Sequence, residues 1–390
     1  MPSESFPRHL LQRPGNERLA YFRSYTVAHP KLTEASDALL RSIREPAGRS
    51  LILVLGPTGV GKTTLRLRIE HELKREFLAL DKPAPDRIPV VGLEAVAPDC
   101  GNFSWKDYYR RALRVLEEPL IDNKISYATP SIRRSPSGEL IVNDRAGSHE
   151  LRRAMEHALY HRRPAAVLID EAQHLTKMAS GRRLSDQLDC LKSLASLTDC
   201  IHVLVGTYEL LPCRNLSAQL SRRSIDIHFS RYRADDPDDV LAFQRVVFSF
   251  QRHLPLAQEP ELWREWEYCY VKSIGCVGIL KDWLTRALAE AIEKNASTLT
   301  RADLERHAWS SDQCDRMAKD ALEGEAVLAH KPDAIVHLKR LLGLDTPKVQ
   351  TSTSEKPPRI SAIEGAKWNQ GSRRVRVGSR KPVRDVVGIC

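Results

Sequence analysis

The most informative stretch of the chain is Leu51-Ile-Leu-Val-Leu-Gly-Pro-Thr-Gly-Val-Gly-Lys-Thr-Thr64. Its five leading apolar residues, 51–55, predict a buried strand of a parallel sheet. Residues 56–63 fit the phosphate-loop pattern G-x-x-x-x-G-K-S/T at every fixed position, and the apolar spacing from Leu65 onwards predicts a helix. Because the motif requires a strand before the loop and a helix after it, a chance glycine-rich turn is the weaker interpretation. The stretch predicts a nucleoside-triphosphate site.

The loop suits phosphate for a direct physical reason. Its three glycines let the backbone curl so that N–H groups face the phosphates, at a helix N-terminus whose dipole favours anions. Lys62 is expected to reach the β- and γ-phosphates, and the hydroxyl of Thr63 to ligate Mg²⁺. The predicted cofactors are therefore ATP and Mg²⁺. The predicted nucleotide-binding residues of the loop are Gly56, Pro57, Thr58, Gly59, Val60, Gly61, Lys62, Thr63 and Thr64.

A second motif supplies the groups that hydrolysis needs. Residues 165–169 are apolar and predict another buried strand, which is followed by Asp170 and Glu171. At the carboxyl end of a central strand, Asp170 would hold Mg²⁺ through water and Glu171 would polarise the attacking water. A helix-capping pair after an ordinary strand is the alternative, and the phosphate loop upstream favours the catalytic interpretation.

Three further positions follow from the order of the elements. Thr207, just after the predicted fourth strand at 201–205, is either a group that hydrogen-bonds the γ-phosphate or the water, or a turn residue. Arg222 and Arg223 precede the predicted fifth strand at 225–229. One of them could reach a neighbouring subunit's nucleotide and stabilise charge on the transferring phosphoryl group, or both could be a solvated basic pair.

Two residues ahead of the first strand are candidates for contact with the adenine base. His29 and Pro30 belong to the segment that precedes the phosphate-loop strand, and such a segment often lies over the base. An ordinary linker is the alternative.

The pattern along the chain predicts an α/β domain followed by an all-α domain. Five predicted strands separated by helices indicate a parallel, doubly wound sheet, and after residue 233 the apolar spacing is helical. Pro, Ser, Arg and Gly predict a loop or small hairpin inserted within the α/β unit, and loss of periodicity predicts a disordered C-terminal segment. The predicted domains are an N-terminal segment at 1–47, a nucleotide-binding domain at 48–234 with the insertion at about 121–147, an α-helical lid at 235–345, and a basic flexible tail at 346–390.

Composition excludes several classes of protein. Apolar residues make up 42% of the 390 residues and charged residues 28%, as in soluble globular proteins. No apolar run approaches the ~20 residues that span a bilayer, and the N-terminus lacks the apolar core of a secretory signal. The eight cysteines contain no C-x-x-C pair. A zinc site is therefore not expected, and reduced thiols in a cytosolic protein fit best.

The positive charge is concentrated at the C-terminus. Residues 347–390 hold four Lys and six Arg against three acidic residues, so this segment carries +7 of the formal net charge of +10. A basic balance indicates nucleic acid or another polyanion as partner, and solubility alone explains it equally well.

The order of these elements resembles that of the AAA+ ATPases: phosphate loop, Asp-Glu pair, sensor after the fourth strand, arginine before the fifth, then a helical lid. Within them the chain is most similar to the TnsC/TniB transposition regulators, relatives of the MuB-type target-selection ATPases, over about residues 25–310. The lid stretch is the most family-specific of those that carry the resemblance. These stretches are Gly56-Pro-Thr-Gly-Val-Gly-Lys-Thr-Thr64, Ile169-Asp-Glu-Ala-Gln-His174, Leu204-Val-Gly-Thr207 and Ser273-Ile-Gly-Cys-Val-Gly-Ile-Leu-Lys-Asp-Trp-Leu284.

The resemblance implies a fold and residue roles. The fold is an AAA+ P-loop domain with a five-stranded parallel sheet flanked by helices, followed by an all-α lid and a disordered basic tail. Thr207 takes the sensor-one position, which is often Asn in AAA+ proteins. Lys281 stands where related initiator ATPases carry the Arg of Gly-x-x-Arg. It would be a weaker second sensor, since a Lys ammonium is a point charge rather than a fork, and slow hydrolysis is compatible with that departure.

The resemblance also implies a mechanism and partners. ATP-bound subunits would assemble as rings or a helical filament on duplex DNA, mark the target and recruit the transposase, and hydrolysis would remove them. The implied partners are duplex DNA through sequence-nonspecific backbone contacts, further copies of the chain, the transposase, and a target selector of the TniQ or TnsD type. No membrane is expected, and the implied location is the bacterial cytoplasm, on the nucleoid when bound to DNA.

A filament that tracks DNA needs contacts to phosphates rather than to bases, so Lys and Arg on one face suffice. Each candidate could instead be a solvated charge. The tail, which carries Trp368, would dock the transposase or the target selector, or bind DNA loosely. The candidate DNA-contacting residues are Lys106, Arg110, Arg133, Arg134, Lys177, Arg182 and Arg183.

Three other hypotheses stay open. A helicase- or initiator-loading ATPase has a similar layout and would show sequence-specific origin binding or a helicase partner. A secretion- or signalling-associated P-loop ATPase would show no salt-dependent DNA binding. A purely structural nucleotide-binding module is disfavoured by Glu171, because loss of that carboxylate is the usual route to inactivity.

Overall fold

The computed structural model describes residues 5–80, 84–98, 101, 103–117, 132–134, 136, 140–142, 148–177, 184–214, 224–329 and 334–344. The chain divides into two compact units, Met1–Ala329 and His330–Cys390. The first unit contains the sheet and the site described below. In the second, the described part contains one helix, Ala334–Leu341. The predicted disordered tail at 346–390 lies outside the described residues.

The sheet is the parallel, five-stranded one that the sequence predicts. The described residues form seven strands: β1 (Leu51–Leu55), β2 (Val91–Glu94), β3 (Ile132–Arg134), β4 (Leu140–Val142), β5 (Ala166–Asp170), β6 (Ile201–Gly206) and β7 (Ser224–His228). Five of them pair in the order β2-β5-β6-β1-β7, every pair parallel. Strands β3 and β4 form an antiparallel hairpin within the predicted insertion.

The helices account for the rest of the described secondary structure, together with short 3₁₀ turns. They are α1 (Gly15–Ser24), α2 (Pro30–Arg44), α3 (Lys62–Leu78), α4 (Trp105–Glu117), α5 (Ser148–Arg162), α6 (Leu184–Thr198), α7 (Leu211–Arg214), α8 (Pro237–His253), α9 (Trp266–Ser273), α10 (Val277–Glu293), α11 (Arg301–His307), α12 (Ser311–Leu328) and α13 (Ala334–Leu341). None of these described helices is long and apolar enough to cross a membrane. The described residues thus have the predicted five-stranded parallel sheet flanked by helices, with a helical region after it.

Helices α1 and α12 lack a long stripe of large buried apolar residues, as their buried positions show. Helix α1 buries Phe22. Helix α12 buries Cys314, Ala321 and Gly324, which are small, so its sequence carries no stripe of large apolar residues. By contrast, the start of α11 is marked in the sequence itself, because Thr300 is its N-cap and forms a capping box with Asp303.

The sheet is buried on both faces, as its unbroken apolar strands require. Leu51, Leu53 and Leu55 pack on one face together with side chains of α4 and α5, while Ile52 and Val54 pack on the other with α2 and α3. A third core lies among helices α8 to α11.

The register of the strands places the predicted site at one edge of the sheet. Leu55 at the end of β1 lies between Gly206 of β6 and His228 of β7, and Asp170 at the end of β5 pairs with Glu94 of β2. The carboxyl ends of parallel strands meet at the same edge, where ligands bind in open α/β sheets. The phosphate loop, the Asp-Glu pair and the turn after β6 therefore meet there.

Candidate nucleotide-binding and hydrolysis site

The phosphate loop has the backbone conformation for which its glycines are needed. Gly59 and Gly61 have φ values of +76° and +111°, a left-handed region that side chains disfavour. At position 56 an added Cβ would lie 2.3 Å from the carbonyl oxygen of Phe229, so this glycine allows the close approach of two backbones. Helix α3 then begins at Lys62, which directs its first N–H groups towards the loop.

Lys62 is enclosed by its own loop. Its side chain is 7% exposed, and Nζ donates to the carbonyl oxygens of Gly56 (3.1 Å) and Pro57 (2.8 Å). Burial lowers the pKa of this ammonium, while the nearby carboxylates of Glu171 and Asp170 oppose that shift. A buried cation held by neutral carbonyl oxygens is suited to an anionic ligand such as phosphate.

Asp170 is buried at the end of β5, and both of its carboxylate oxygens are engaged. The residue is 3% exposed, Oδ2 accepts from Arg66 Nε (3.2 Å), and Oδ1 accepts from the backbone N–H of Glu171 (3.0 Å). Arg66 also pairs with Glu70 on α3. The sequence analysis missed Arg66, although its position four residues after Lys62 places it one helical turn further along α3.

Glu171 and Thr207 are brought together by a third residue, Gln173. Nε2 of Gln173 donates to Glu171 Oε2 (2.5 Å), and its Oε1 accepts from the backbone N–H of Thr207 (3.2 Å). The hydroxyl of Thr207 is buried and has no hydrogen-bond partner within the described part of the chain. Such a hydroxyl is available to a ligand. Sequence reasoning assigned Gln173 no role, although it lies two residues after Glu171, in the stretch Ile169–His174 that carries the family resemblance.

His29 lines a small cavity of about 40 Å³ beside the loop, together with Val60, Phe229 and Gly278. Its ring is 5% exposed, and Nδ1 bonds the hydroxyl of Tyr232 (3.0 Å). Burial, and next the charge of Arg68, lower the pKa of His29 to about 4, so the ring is neutral at pH 7. Pro30, the other predicted base contact, is exposed at the start of α2.

The first turn of α10 rests directly on the phosphate loop. The backbone N–H of Ile279 donates to the carbonyl oxygen of Gly59 (3.2 Å), and an added Cβ at Gly278 would lie 2.5 Å from that same oxygen. Lys281, one turn further on, lines the His29 cavity and donates from Nζ to the carbonyl oxygen of Arg23 (2.8 Å). Burial lowers the pKa of Lys281.

A larger cavity, of about 620 Å³, also borders the loop. It is bounded by Thr58 of the loop, by Thr207 and Tyr208 after β6, and by Met317 and Gly324 of α12. Position 324 must be small, because an added Cβ there would lie 2.1 Å from the ring of Tyr208. The cavity therefore leaves space next to the phosphate loop that an additional chemical group could occupy.

The remaining predicted residues fall in different parts of the chain. Lys106 and Arg110 are partly buried on α4, and Lys177 is exposed after the 3₁₀ turn that follows Glu171. The carbonyl oxygen of Lys177 accepts from the backbone N–H of Phe103 (3.1 Å), which brings this segment close to the start of α4. Arg133 and Arg134 lie on β3, and their side chains are outside the described part of the structure. Arg182, Arg183, Arg222 and Arg223 lie outside the described residues.

Comparison with known proteins identifies the domain that carries this site. Residues 44–214 match a family model described as an AAA domain. No curated protein matches the chain. Similar solved structures include the Walker-type ATPase Paby2304 of Pyrococcus abyssi, with 17% identity and a TM-score of 0.44, covering 79% of this chain and 75% of that one. The ADP form of the Aeropyrum pernix ORC2 protein has 15% identity and a TM-score of 0.45, covering 74% and 71%.

A third similar structure is Drosophila ORC bound to DNA, with 14% identity and a TM-score of 0.47, covering 88% of this chain and 86% of that one. The match to the family model covers the phosphate loop, the Asp170–Glu171 pair and Thr207. Residues 44–214 therefore match an AAA domain, and the activity that this match supports is ATP hydrolysis.

Proposed function

We propose that this ATPase is a DNA transposition regulator of the TnsC/TniB type. It assembles on duplex DNA in the ATP state, links a target selector to the transposase, and leaves the DNA after hydrolysis. The observation that carries the proposal is the contact between the start of α10 and the phosphate loop, where Ile279 N–H donates to Gly59 O (3.2 Å). Since a lid helix shares a bond with the loop that binds phosphate, a change of nucleotide alters the position of the helix, and with it the surface offered to a neighbouring copy.

The residues at the sheet edge fit ATP and Mg²⁺. The hydroxyl of Thr63, which is exposed, and the carboxylate of Asp170, acting through water, would supply the hard oxygen donors that Mg²⁺ prefers. Bound Mg²⁺ neutralises charge on the phosphate oxygens. Lys62 holds the β- and γ-phosphates, and the buried hydroxyl of Thr207, which lacks a partner among the described residues, bonds the γ-phosphate. Glu171 polarises the attacking water.

The nucleotide base lies against His29 and Pro30, and Lys281 is the second sensor from the lid. The neutral ring of His29 lines the same cavity as Lys281 and Gly278. A buried neutral ring suits contact with a base because it brings no uncompensated charge. In this arrangement the lid at 235–345 senses both the base and the phosphates bound to the domain at 48–234.

The neighbouring copy contributes an arginine. Arg222 or Arg223 enters the cavity of about 620 Å³ beside Thr58 and Thr207 on the adjacent subunit. Glu209, Asp320 and Glu323 line that cavity, so its rim favours a positive group. An arginine there stabilises charge on the transferring phosphoryl group, which makes hydrolysis depend on assembly.

Contacts to DNA phosphates come from basic residues near α4 and from the tail. The hydrogen bond between Phe103 N–H and Lys177 O supports a shared face for Lys106, Arg110 and Lys177. Arg133, Arg134, Arg182 and Arg183 are the other proposed contacts. The tail at 346–390, with most of the net positive charge, docks the transposase or the TniQ- or TnsD-type selector, or binds DNA.

Imaging of the purified protein on duplex DNA tests the proposal. Negative-stain images with ATP should contain regular rings or filaments, images with ADP should not, and Glu171→Gln should keep the assemblies after ATP is added. A protein that stays monomeric and ignores DNA at low salt in every nucleotide state would contradict it and favour a signalling ATPase without a DNA role.

A second experiment separates transposition from helicase or initiator loading. DNA binding is measured with ATP on duplexes of unrelated sequence at increasing salt, where a regulator that contacts phosphates should bind all of them and weaken uniformly. Strong preference for one duplex sequence, or co-purification of a helicase, would instead support the loading factor.

A further inference from the structure

Gln173 links two of the predicted catalytic residues. Its Nε2 donates to Glu171 Oε2 over 2.5 Å, and its Oε1 accepts the backbone N–H of Thr207 over 3.2 Å. The residue is 5% exposed, so both ends of this amide are bonded inside the protein. One buried amide therefore bridges the turn after β5 and the turn after β6.

The end of β6 packs closely against this amide. An added Cβ at Gly206 would lie 2.5 Å from Gln173 Oε1 and 3.2 Å from Gln173 N, so a larger residue at the end of β6 would displace the bridge. Glu171 has a left-handed φ of +50°, a conformation that costs energy in a non-glycine residue and persists where neighbouring contacts hold it. The bond from Gln173 is one of those contacts.

Glutamine has the chemistry that both bonds need. An amide donates through nitrogen and accepts through oxygen, whereas an ionised carboxylate accepts only. Glu171 must be ionised to polarise water, so it needs a donor, and the N–H of Thr207 needs an acceptor. A glutamate at position 173 would keep the acceptor but bring a second negative charge against Glu171.

We propose that Gln173 is a positioning residue for ATP hydrolysis. Its amide holds the carboxylate of Glu171 at a fixed distance from the backbone of Thr207. The carboxylate that polarises water and the turn that faces the γ-phosphate therefore stay at a constant distance from each other. This inference rests on the proposed roles of Glu171 and Thr207. Because misplacing a catalytic group by about 1 Å costs on the order of 100-fold in rate, loss of the bridge lowers kcat and leaves ATP affinity unchanged.

The test is the pH profile of steady-state ATP hydrolysis, with affinity measured separately by titration of a fluorescent ATP analogue. Gln173→Met keeps the length of the side chain and removes both bonds. Its kcat should fall by roughly 10- to 100-fold, while KM and the affinity stay within about twofold of wild type. Gln173→Glu should also shift the acidic limb of the kcat profile to higher pH, because a neighbouring like charge raises the pKa of a carboxyl group.

A matched control lies on the same turn. The hydroxyl of Thr176 donates to the backbone oxygen of Gln173 over 2.7 Å, so Thr176→Val disturbs the turn without touching the amide. This variant should keep the wild-type kcat and pH profile. An equal loss of kcat in Thr176→Val and Gln173→Met would overturn the proposal, since it would reflect damage to the turn.

The other outcomes are also decisive. If the Gln173 variants raise KM or lower the unfolding temperature while kcat and its acidic limb stay as in wild type, Gln173 is structural and the proposal fails. If Gln173→Met does not fold, the pH profile of Gln173→Glu decides. Glu171→Gln separates failure of the proposed role of Glu171 from failure of the inference about Gln173. Full activity in Glu171→Gln overturns the role of Glu171, and the inference about Gln173 with it. Loss of activity there, with both Gln173 variants active, overturns the inference alone.

Discussion

Helices α10 and α12 both contact the nucleotide-binding domain, and they do so with different chemistry. Helix α10 begins on the phosphate loop and buries large apolar side chains along its length, among them Trp283 with no exposed surface. Helix α12 buries Cys314, Ala321 and Gly324, and its contact with Tyr208 is accompanied by the ion pair of Arg231 with Glu325 at 2.9 Å. Burial in the core formed with α8, α9 and α11 thus holds α10, while close fit of small residues and the ion pair with Arg231 hold α12.

This difference indicates which contact gives way first. Burial of large apolar side chains stabilises by about 1.5–3 kcal/mol each, whereas Ala and Gly bury little area. Helix α10 should therefore stay in place until the core that it shares with α8, α9 and α11 unfolds, whereas α12 should detach locally. Because α10 contacts the phosphate loop and α12 lines the cavity beside it, the first supplies a firm connection to the site and the second a releasable one.

The largest effect is expected from the core beneath α10. Trp283→Ala removes a fully buried side chain whose Nε1 donates to Leu304 O (2.9 Å). The free energy of unfolding should fall by about 3–5 kcal/mol in urea titrations. Trp263, which is 48% exposed, provides the control, since Trp263→Ala should cost less than about 1 kcal/mol. Equal losses of unfolding free energy in the two variants would contradict the conclusion that buried apolar side chains hold α10 in place.

A second prediction concerns the start of α10. Gly278→Val places a side chain where a Cβ lies 2.5 Å from Gly59 O, so the helix must move off the phosphate loop. We expect kcat for ATP hydrolysis to fall on the order of 100-fold, because the lid no longer meets the nucleotide site in the right geometry. Glu293→Ala, at the exposed far end of α10, should keep wild-type activity. Normal hydrolysis by Gly278→Val would mean that the contact does not matter for catalysis.

Acid should lower the free energy of unfolding through His29, which lines the cavity next to the start of α10. The pKa of His29 is about 4 in the folded protein and near 6.5 when unfolded, so folding opposes its protonation. The stability present above pH 6.5 is lost as the pH falls towards 4, with about 2 kcal/mol gone at pH 5. Urea titrations of wild type and His29→Gln at several pH values measure this, and the variant should lose less stability. If wild type and His29→Gln lose the same stability as the pH falls, the assignment of this pH dependence to His29 is contradicted.

A smaller effect is expected at α12. Gly324→Ala gains up to about 1 kcal/mol of helix propensity but drives a Cβ into the ring of Tyr208, so the helix should move away from that ring. Amide hydrogen exchange in residues 311–328 should become faster by several-fold. Combining Gly324→Ala with Tyr208→Ala should restore protection, because the clash is gone. Faster exchange that persists in the double variant would indicate a defect within the helix itself.

The smallest effect is expected at Lys281, which donates one hydrogen bond to Arg23 O. Removing a hydrogen bond of about 1 kcal/mol with Lys281→Met should lower kcat by about fivefold or less. Lys281→Arg should hydrolyse ATP at least as fast as wild type, because an arginine provides a fork of donors for phosphate. A large loss of kcat in Lys281→Met would assign Lys281 a central role in hydrolysis. It would also support the importance of α10 for the site.

Much of the fold could be predicted because its signals are local. The apolar run 51–55 and the phosphate-loop pattern predict β1, the loop and α3 without any knowledge of their neighbours. The meeting of Asp170 and Thr207 near Lys62 was also predictable, since the carboxyl ends of parallel strands share one edge. Helices with large apolar residues at regular spacing, such as α10, follow by the same reasoning.

Other features depend on residues that are far apart in sequence and close in space. The order β2-β5-β6-β1-β7 arises from crossovers that the strand pattern does not specify. The ion pair of Arg66 with Asp170 and the two bonds of Gln173 require that α3, β5 and β6 be already in place. A polar side chain alone does not indicate its partner, because many surface residues have the same composition and spacing.

The amino-acid sequence by itself therefore determined the phosphate-loop motif, the parallel sheet and the edge of the sheet to which Lys62, Asp170 and Thr207 belong. Only the tertiary structure decided which groups hold Glu171 and where α12 lies. The reason is physical: a buried apolar run can be recognised in the sequence itself. The roles of Gly324 and Gln173, by contrast, depend on the Tyr208 ring and the Glu171 carboxylate that lie against them in the folded protein.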